Sequence, residues 1–240
     1  MRVGLLHPGQ MGAAVGSAVN GDVLWASDGR SEATALRAGA AGFTDAGSID
    51  ELVRSSDVII SICPPAAAEE VAGDVFDAGF DRLFVEANAI SPARIRRIAE
   101  LGPSVVDGSI IAASGINLYL AGDGADKVAA LFPPEGDVKP VILPGKVGAA
   151  SGLKMAFGGW NKIGIALTWQ ARAIARAYGV EPWLDLEGVT PDRLERVVDR
   201  AWRWGPEMDE IAEACEALGL PAGLPRAAAD FYRGVEEKTD

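Results

Sequence analysis

Six residues near the start of the chain, His7-Pro8-Gly9-Gln10-Met11-Gly12, follow an apolar run and lead into a helical pattern. Glycine at position 9 lets a backbone approach a phosphate group closely. Glycine at position 12 lets a helix pack tightly on the strand before it. The free N–H groups and positive dipole end of that helix then favour a bound pyrophosphate. His7 stands where the G-x-G-x-x-G fingerprint has its first glycine. The motif is therefore incomplete, and it takes its weight from its place at the first strand-to-helix turn. A second group, Ser27-Asp28-Gly29-Arg30-Ser31, closes the next apolar run. Arg30 can pair with a ribose 2′-phosphate, with Ser27 and Ser31 donating hydrogen bonds. Asp28 is the acid that an NAD-type site would use, one residue further on; the reading favours NADP(H). Cys63-Pro64-Pro65 and Asn88-Ala89-Ile90 follow two more apolar runs, where loops lie along a dinucleotide. Cys63 itself reads as a small buried side chain. Lys154 sits in an apolar, glycine-rich stretch. A lysine there is costly unless paired or functional, and burial lowers its pKa toward the range useful for proton transfer. Lys162 is its competitor on the same stretch.

These residues need a scaffold that presents loops at one edge. Apolar runs at Val3–His7, Val23–Ala26, Val58–Cys63, Leu83–Ala87 and Val105–Gly108 read as strands. Helical patterns at Met11–Val19, Ser31–Ala38, Ile49–Ser55, Ala67–Phe76 and Pro92–Leu101 separate them. Such alternation implies βαβ units around a parallel sheet, and near-continuous apolar strands imply a sheet covered on both faces. Two more strands, Leu118–Ala121 and Val138–Leu143, flank a helix near Ala125–Phe132. The composition then changes. From Lys146 to Tyr178 there is no proline, and Met155, Phe157, Trp160, Ile163, Ile165, Leu167 and Trp169 leave little of a helix polar. Glycines at 148, 152, 158, 159 and 164 suit a backbone or a ligand that comes close. Pro182–Glu237 reads as shorter helices broken near Gly188, Gly205 and Gly219–Pro225. The fold class expected is α/β: an N-terminal Rossmann doubly wound sheet over residues 1–145, then a long connecting helix and a small all-helical domain over 146–240.

Composition narrows the function classes. The chain has 240 residues, is 49% hydrophobic and carries a formal net charge of -12, which argues against general nucleic-acid binding. Cys63 and Cys215 have no disulfide or zinc spacing, and His7 is the single histidine, so no metal site is expected. There is no run of about 18 apolar residues to span a membrane and no leader-like start, which makes the cytoplasm the expected compartment. Five of the six tryptophans fall in residues 146–240. A helical segment this small cannot bury all of them, so a homodimer built on it is expected.

Val3-Gly4-Leu5-Leu6-His7-Pro8-Gly9-Gln10-Met11-Gly12, the Cys63-Pro64-Pro65 loop and Gly148-x-x-x-Gly152-x-Lys154 together resemble the β-hydroxyacid dehydrogenase superfamily. That group includes 6-phosphogluconate and 3-hydroxyisobutyrate dehydrogenases, with imine reductases related to it. Trp202 to Ile211, through Gly219-Leu220-Pro221, is similar to a subgroup of 6-phosphogluconate dehydrogenase-like chains with a C-terminal domain of unassigned function. The resemblance implies a nicotinamide cofactor, NADP(H) here, and a small-molecule substrate. It implies that Lys154 is the catalytic acid/base. The family's asparagine four residues later is Gly158, and Asn161, two turns from Lys154, is placed to substitute. The family's substrate loop, Asp-x-x-x-Ser-Gly-Gly, reads Asp107-Gly108-Ser109-Ile110-Ile111-Ala112-Ala113. Asp107, Ser109 and Ile111 are thus expected at the substrate, without the Ser-Gly-Gly that holds a carboxylate. Hydride transfer to or from a hydroxyl or carbonyl carbon is the reading implied. Reduction of a C=N bond, and a dinucleotide-binding sensor without turnover, are the alternatives.

Overall fold

The computed structural model describes residues 1–191, 197, 201 and 203–236. Trp202, Glu237 and residues 192–196 and 198–200, within the expected helices, lie outside them. The chain divides into two compact units, residues 1–154 and 155–240.

The first unit is built on an eight-stranded sheet of order β3-β2-β1-β4-β5-β6-β7-β8. Its strands are β1 (Arg2–Leu6), β2 (Asp22–Trp25), β3 (Thr44–Asp45), β4 (Val58–Ser61), β5 (Leu83–Glu86), β6 (Val105–Ile111), β7 (Ile116–Ala121) and β8 (Val138–Ile142). All neighbours run parallel except β6 and β7. The helices are α1 (Gln10–Ser17), α2 (Glu32–Ala40), α3 (Ile49–Ser55), α4 (Ala68–Asp77), α5 (Pro92–Leu101) and α6 (Ala125–Ala129). The two-residue side-chain period explains the near-continuous apolar strands. Val3, Leu5, Val58, Ile60 and Val85 enter one core layer, while Leu6, Ile59 and Phe84 enter the other. This is the α/β architecture that the alternating pattern implies, with strand order reversing between β1 and β4.

Caps fix where the helices begin. The Ser31 and Ser48 hydroxyls accept the backbone N–H groups of Thr34 and Glu51 at the starts of α2 and α3. Pro92 opens α5 in the first turn, after Ser91. Three local features depart from the sequence reading. Ala67, read as the first residue of a helix, closes the 3-10 turn Pro65–Ala67, and α4 begins at Ala68. The polar pair Thr44–Asp45 forms a short edge strand that has no apolar signature. Strand β6 continues to Ile111, because antiparallel β7 supplies partners as far as Asn117.

Helix α7 runs from Ala149 to Ala177, 29 residues. That is about 43 Å at about 1.5 Å per residue. Its start is fixed from inside the sheet. Asp107 on β6 is fully buried. Its carboxylate accepts the N–H groups of Gly148 at 2.8 Å, Ala150 at 2.9 Å and Ser151 at 3.1 Å, and the Ser151 hydroxyl at 2.7 Å. Gly148, with φ 106°, makes the turn into the helix. The place where its Cβ would stand lies 3.0 Å from the Arg96 guanidinium, and that of Gly152 faces Pro92. Packing against α5 therefore accounts for Gly148, whose φ also favours glycine, while at Gly152 the neighbouring side chain stands at ordinary contact distance.

The second unit contains the rest of α7 with α8 (Glu181–Leu186), α9 (Gly205–Ala217) and α10 (Gly223–Glu236). Met155, Ala166, Met208, Ile211, Ala228 and Tyr232 form its core. Gly159 lets Ile211 of α9 approach, and the space at Gly158 is taken by the Glu207 carboxylate.

Replacing Asp107 by alanine would strand three buried N–H donors at the start of α7. We expect Asp107→Ala to cost at least about 2–3 kcal/mol in urea-induced unfolding, the scale for buried donors left without a partner. A loss below about 0.5 kcal/mol would show that the cap carries no weight.

Candidate dinucleotide site

The C-terminal ends of β1, β2 and β4 frame a cleft of about 450 Å³. Its lining includes His7, Gly9, Gln10, Met11 and Gly12 after β1, Arg30 and Ser31 after β2, and Cys63 and Pro64 after β4. Three loops distant in sequence thus converge at the point where strand order reverses. Crevices outside strand ends at such a point are where open α/β sheets bind ligands.

The turn after β1 is tight. The Gly9 N–H donates to the His7 carbonyl at 2.6 Å, and Gly9 then caps α1 without a side chain. A Cβ on Gly12 would stand 2.7 Å from the His7 carbonyl oxygen, so glycine is required there for helix and strand to approach. At Gly9 the nearest atom to such a Cβ is 3.9 Å away, which leaves the position open for a ligand. The first-turn N–H groups of α1 have no carbonyl of their own helix to bind. His7 adopts φ 62°, the left-handed region that the fingerprint's first glycine would occupy. Histidine is among the few side chains enriched there. Burial, helped by the Arg30 charge, lowers the His7 pKa to about 4, so the imidazole is neutral near pH 7. The departure from the glycine motif therefore preserves the shape of the turn and adds no positive charge.

The loop after β2 turns through Gly29, at φ 71°, with the Arg30 N–H donating to the Ser27 carbonyl at 3.0 Å. Ser27 contributes backbone to this turn and does not line the cleft. Ser31 lines it, with its hydroxyl 3.0 Å from that of Thr34, a second lining residue that the sequence reading missed. Arg37 was also missed; it donates to the carbonyl of buried Pro8 at 3.1 Å and ties α2 to the glycine turn. Both residues lie one and two turns into α2, where only a helical wheel anchored on the Ser31 cap would have found them. Asp28 is exposed, and its N–H bonds the Gly47 carbonyl.

Asn88 is buried behind the third loop. Its Oδ1 accepts the Cys63 N–H at 2.6 Å, while Nδ2 donates to Cys63 Sγ at 3.2 Å and Ser61 Oγ at 3.4 Å. Those bonds stay within the protein, so Asn88 clamps the Cys63–Pro64 loop from beneath. Pro65 begins the 3-10 turn and lies outside the cleft lining. Burial and the nearby Glu86 carboxyl push the Cys63 thiol up to about 11, which fits a structural rather than a nucleophilic cysteine.

Lys154, the last residue of the first unit, donates from Nζ to the Ile110 carbonyl at 2.7 Å. Ser109 and Ile111 are buried within β6, paired with Tyr119 and Asn117 of β7. Asp107 is occupied by the start of α7. Asn161 and Lys162 belong to the second unit. Lys162 forms an ion pair with Glu207 and lies 5.4 Å from the Trp204 ring centre. That lysine is thereby accounted for by a structural pair. Among the described residues no cluster of side chains could hold a metal ion, and no helix is long and apolar enough to cross a membrane.

Comparison with known proteins agrees with this fold. A domain family of unknown function, DUF1932, matches residues 175–235. A sequence search of curated proteins finds no match. Among solved structures, one similar chain is a conserved protein of unknown function described as structurally similar to 3-hydroxyacid dehydrogenases. It is 23% identical with a TM-score of 0.77, over 99% of this chain and 97% of that one. The 3-hydroxyisobutyrate dehydrogenase of Mycobacterium tuberculosis, with L-serine, is 18% identical with a TM-score of 0.76, over 99% and 94%. The reductive aminase of Aspergillus terreus, in complex with NADPH and ethyl levulinate, is 19% identical with a TM-score of 0.59, over 99% and 94%. The chain thus has the fold of the β-hydroxyacid dehydrogenases along essentially its whole length.

Proposed function

We propose that the protein is an NADP(H)-dependent oxidoreductase that acts on a small hydroxy or carbonyl compound. The observation that carries this is the cleft at the β1/β4 switch point, lined by the glycine turn, Arg30, Ser31 and the Cys63–Pro64 loop. The residues fit a dinucleotide. Gly9 leaves backbone exposed to a pyrophosphate, α1 presents its positive end, and Arg30 and Ser31 stand where a ribose 2′-phosphate is read. Arg30 lines this cleft and Asp28 does not, which favours NADP(H) over NAD(H). The reductive aminase neighbour was solved with NADPH.

Within this reading the nicotinamide, when bound, supplies or accepts the hydride. The chain's own residues orient it and manage the proton. Lys154 is the acid/base: its ammonium, held at the Ile110 carbonyl, gives a proton to the oxygen of a carbonyl substrate or, as the amine, takes one from a hydroxyl. Asp107 sets the helix on which that lysine is carried. A C=N substrate is the second reading, favoured by the likeness to a reductive aminase and by the sequence Ala112-Ala113, which replaces a carboxylate-holding Ser-Gly-Gly.

The second unit points to a homodimer. Trp160, Leu167 and Ile174 recur every seven residues on α7 and are 70%, 65% and 58% exposed. Tyr178, Trp183 and Leu186 extend the exposed apolar surface. A second copy would cover this stripe as an isologous helix contact.

Three outcomes follow. Arg30→Ala should weaken NADPH by about 1–3 kcal/mol in a fluorescence titration while leaving NADH nearly unchanged. Equal losses for both would remove the 2′-phosphate role. Lys154→Met should lower turnover of a responsive aldehyde, ketone, hydroxy acid or imine by about 10²–10⁴-fold with NADPH affinity retained. Wild-type turnover would assign the proton elsewhere, and tight NADPH binding with no turnover on any panel would favour a sensor. Sedimentation should give a dimer at micromolar concentration that Leu167→Glu converts to monomer; a monomeric wild type would dismiss the interface.

A further inference from the structure

Three buried polar side chains form a row across the sheet, at the rim where the cleft opens. Ser61 pairs in register with Glu86, and Glu86 pairs in register with Asp107. All three are buried. Strand alternation puts them on one face, the face on which α4 and α5 pack with Ala68, Val71, Ile95 and Ile98. Cys63 and Asn88, two residues beyond Ser61 and Glu86, continue the row as the clamp beneath the cleft. At its other end Asp107 holds the first turn of α7. Glu86 thus stands between the cleft loop and the helix that carries Lys154.

The two carboxyls have unequal surroundings. Asp107 accepts from three N–H groups and a hydroxyl. Glu86 accepts the Asn88 N–H through Oε1 at 3.0 Å, while its buried Oε2 has no partner. The titratable groups that face it are Asp107 on β6 and Cys63 after β4. The helices on this face bring apolar side chains; of the α5 cations, Arg94 and Arg97 pair with Glu69, and Arg96 lies against Gly148 at the start of α7. Two adjacent buried carboxyls without a cation between them do not both ionise. Burial raises the pKa of both carboxyls, and hydrogen bonds oppose it at each. Asp107 has four donors against the single Asn88 N–H on Glu86, which places the anion on Asp107 and the proton on Glu86.

We propose that Glu86 is a positioning residue that works in its protonated form, holding Asn88 and through it the Cys63–Pro64 loop, and that its ionisation weakens dinucleotide binding at alkaline pH. A charge on Glu86 would repel Asp107 and pull on the Asn88 backbone, so the clamp on Cys63 would shift. Burial, with the Asp107 charge adding to it, raises the Glu86 pKa to about 8, so the form that holds the loop gives way just above neutrality. The coupling to dinucleotide rests on the function proposed above; the proton on Glu86 does not.

The sign of the linkage is fixed by a raised carboxyl pKa. The folded state keeps a proton that the unfolded chain releases above its ordinary value near 4.5. Stability from this group is therefore present below that value and is lost as pH rises toward about 8. Glu86→Gln mimics the neutral acid and removes this dependence. Thermal melts of the full chain without ligand should show Glu86→Gln gaining several degrees in Tm over wild type between about pH 5 and about pH 8. In NADPH titrations the wild-type Kd should rise about fivefold or more from pH 7 to about pH 9.5, while that of Glu86→Gln stays level. Parallel melting curves would overturn the proton on Glu86. Displaced melting curves with parallel NADPH profiles would overturn its link to the loop. NADPH that fails to bind wild type at every pH would sink the nucleotide reading and the link together, leaving the proton to the melts. If Glu86→Gln does not fold, the wild-type infrared spectrum decides: a protonated-carboxyl band at pH 7 that vanishes at about pH 9.5 supports the assignment, and its absence at pH 7 overturns it.

Discussion

The carboxylate of Asp107 is the contact on which the first unit's chemistry depends. It sits at the junction of β6 and α7 and converts the unpaired N–H groups of a helix start into a buried, charge-assisted cap. Such a cap is worth more in the interior than at a surface, because the alternative for each donor is an unmade bond without water. It also locates Lys154, one turn further along α7, at the end of the strand that supplies the cap. A side chain that the substrate-loop resemblance would send to a ligand serves instead to place the helix.

The same economy governs the cleft. Its walls come from three loops, and each is held by a polar group from another segment: Arg37 on the Pro8 carbonyl, the Gly47 carbonyl on the Asp28 N–H, and Asn88 under Cys63. None of these supports is strong alone. Together they leave the loops little freedom, and a rigid site loses less entropy when a ligand orders it. His7 belongs to this logic too, since it bears the left-handed backbone conformation that the turn needs.

The polar row from Ser61 to Asp107 gives the sheet an unusual centre. Elsewhere its strands fill two apolar layers. At the C-terminal ends of β4 and β5, and beside them on β6, a buried hydroxyl and two buried carboxyls replace apolar side chains. A parallel sheet brings side chains of equal register to one face, so polar residues at matching strand ends become neighbours without any sequence motif. The proximity that sets the balance of charge between Glu86 and Asp107 is a product of strand pairing.

Much of this was legible beforehand. Apolar runs alternating with amphipathic stretches specify a parallel sheet, because only a strand covered on both faces can afford continuous hydrophobicity. The glycine turn at the first strand end, Arg30 and Ser31 after the second, and Cys63-Pro64 after the fourth could be assigned to one cleft because strand order brings those ends together. Local composition also indicated the long helix, read from Lys146 to Tyr178 and observed from Ala149 to Ala177. Tertiary structure decided the rest. The edge strand Thr44–Asp45 and the extension of β6 to Ile111 exist because a neighbouring strand supplies their hydrogen bonds, and no local pattern encodes a neighbour. The occupations of Asp107, Asn88, Gly148 and Gly158 were hidden for the same reason. Each is fixed by a partner between 25 and 52 residues away, from the Cys63–Asn88 bond to the approach of Arg96 to Gly148. A sequence states which side chains can accept a proton or a hydrogen bond; only the packed chain determines which of them are already taken.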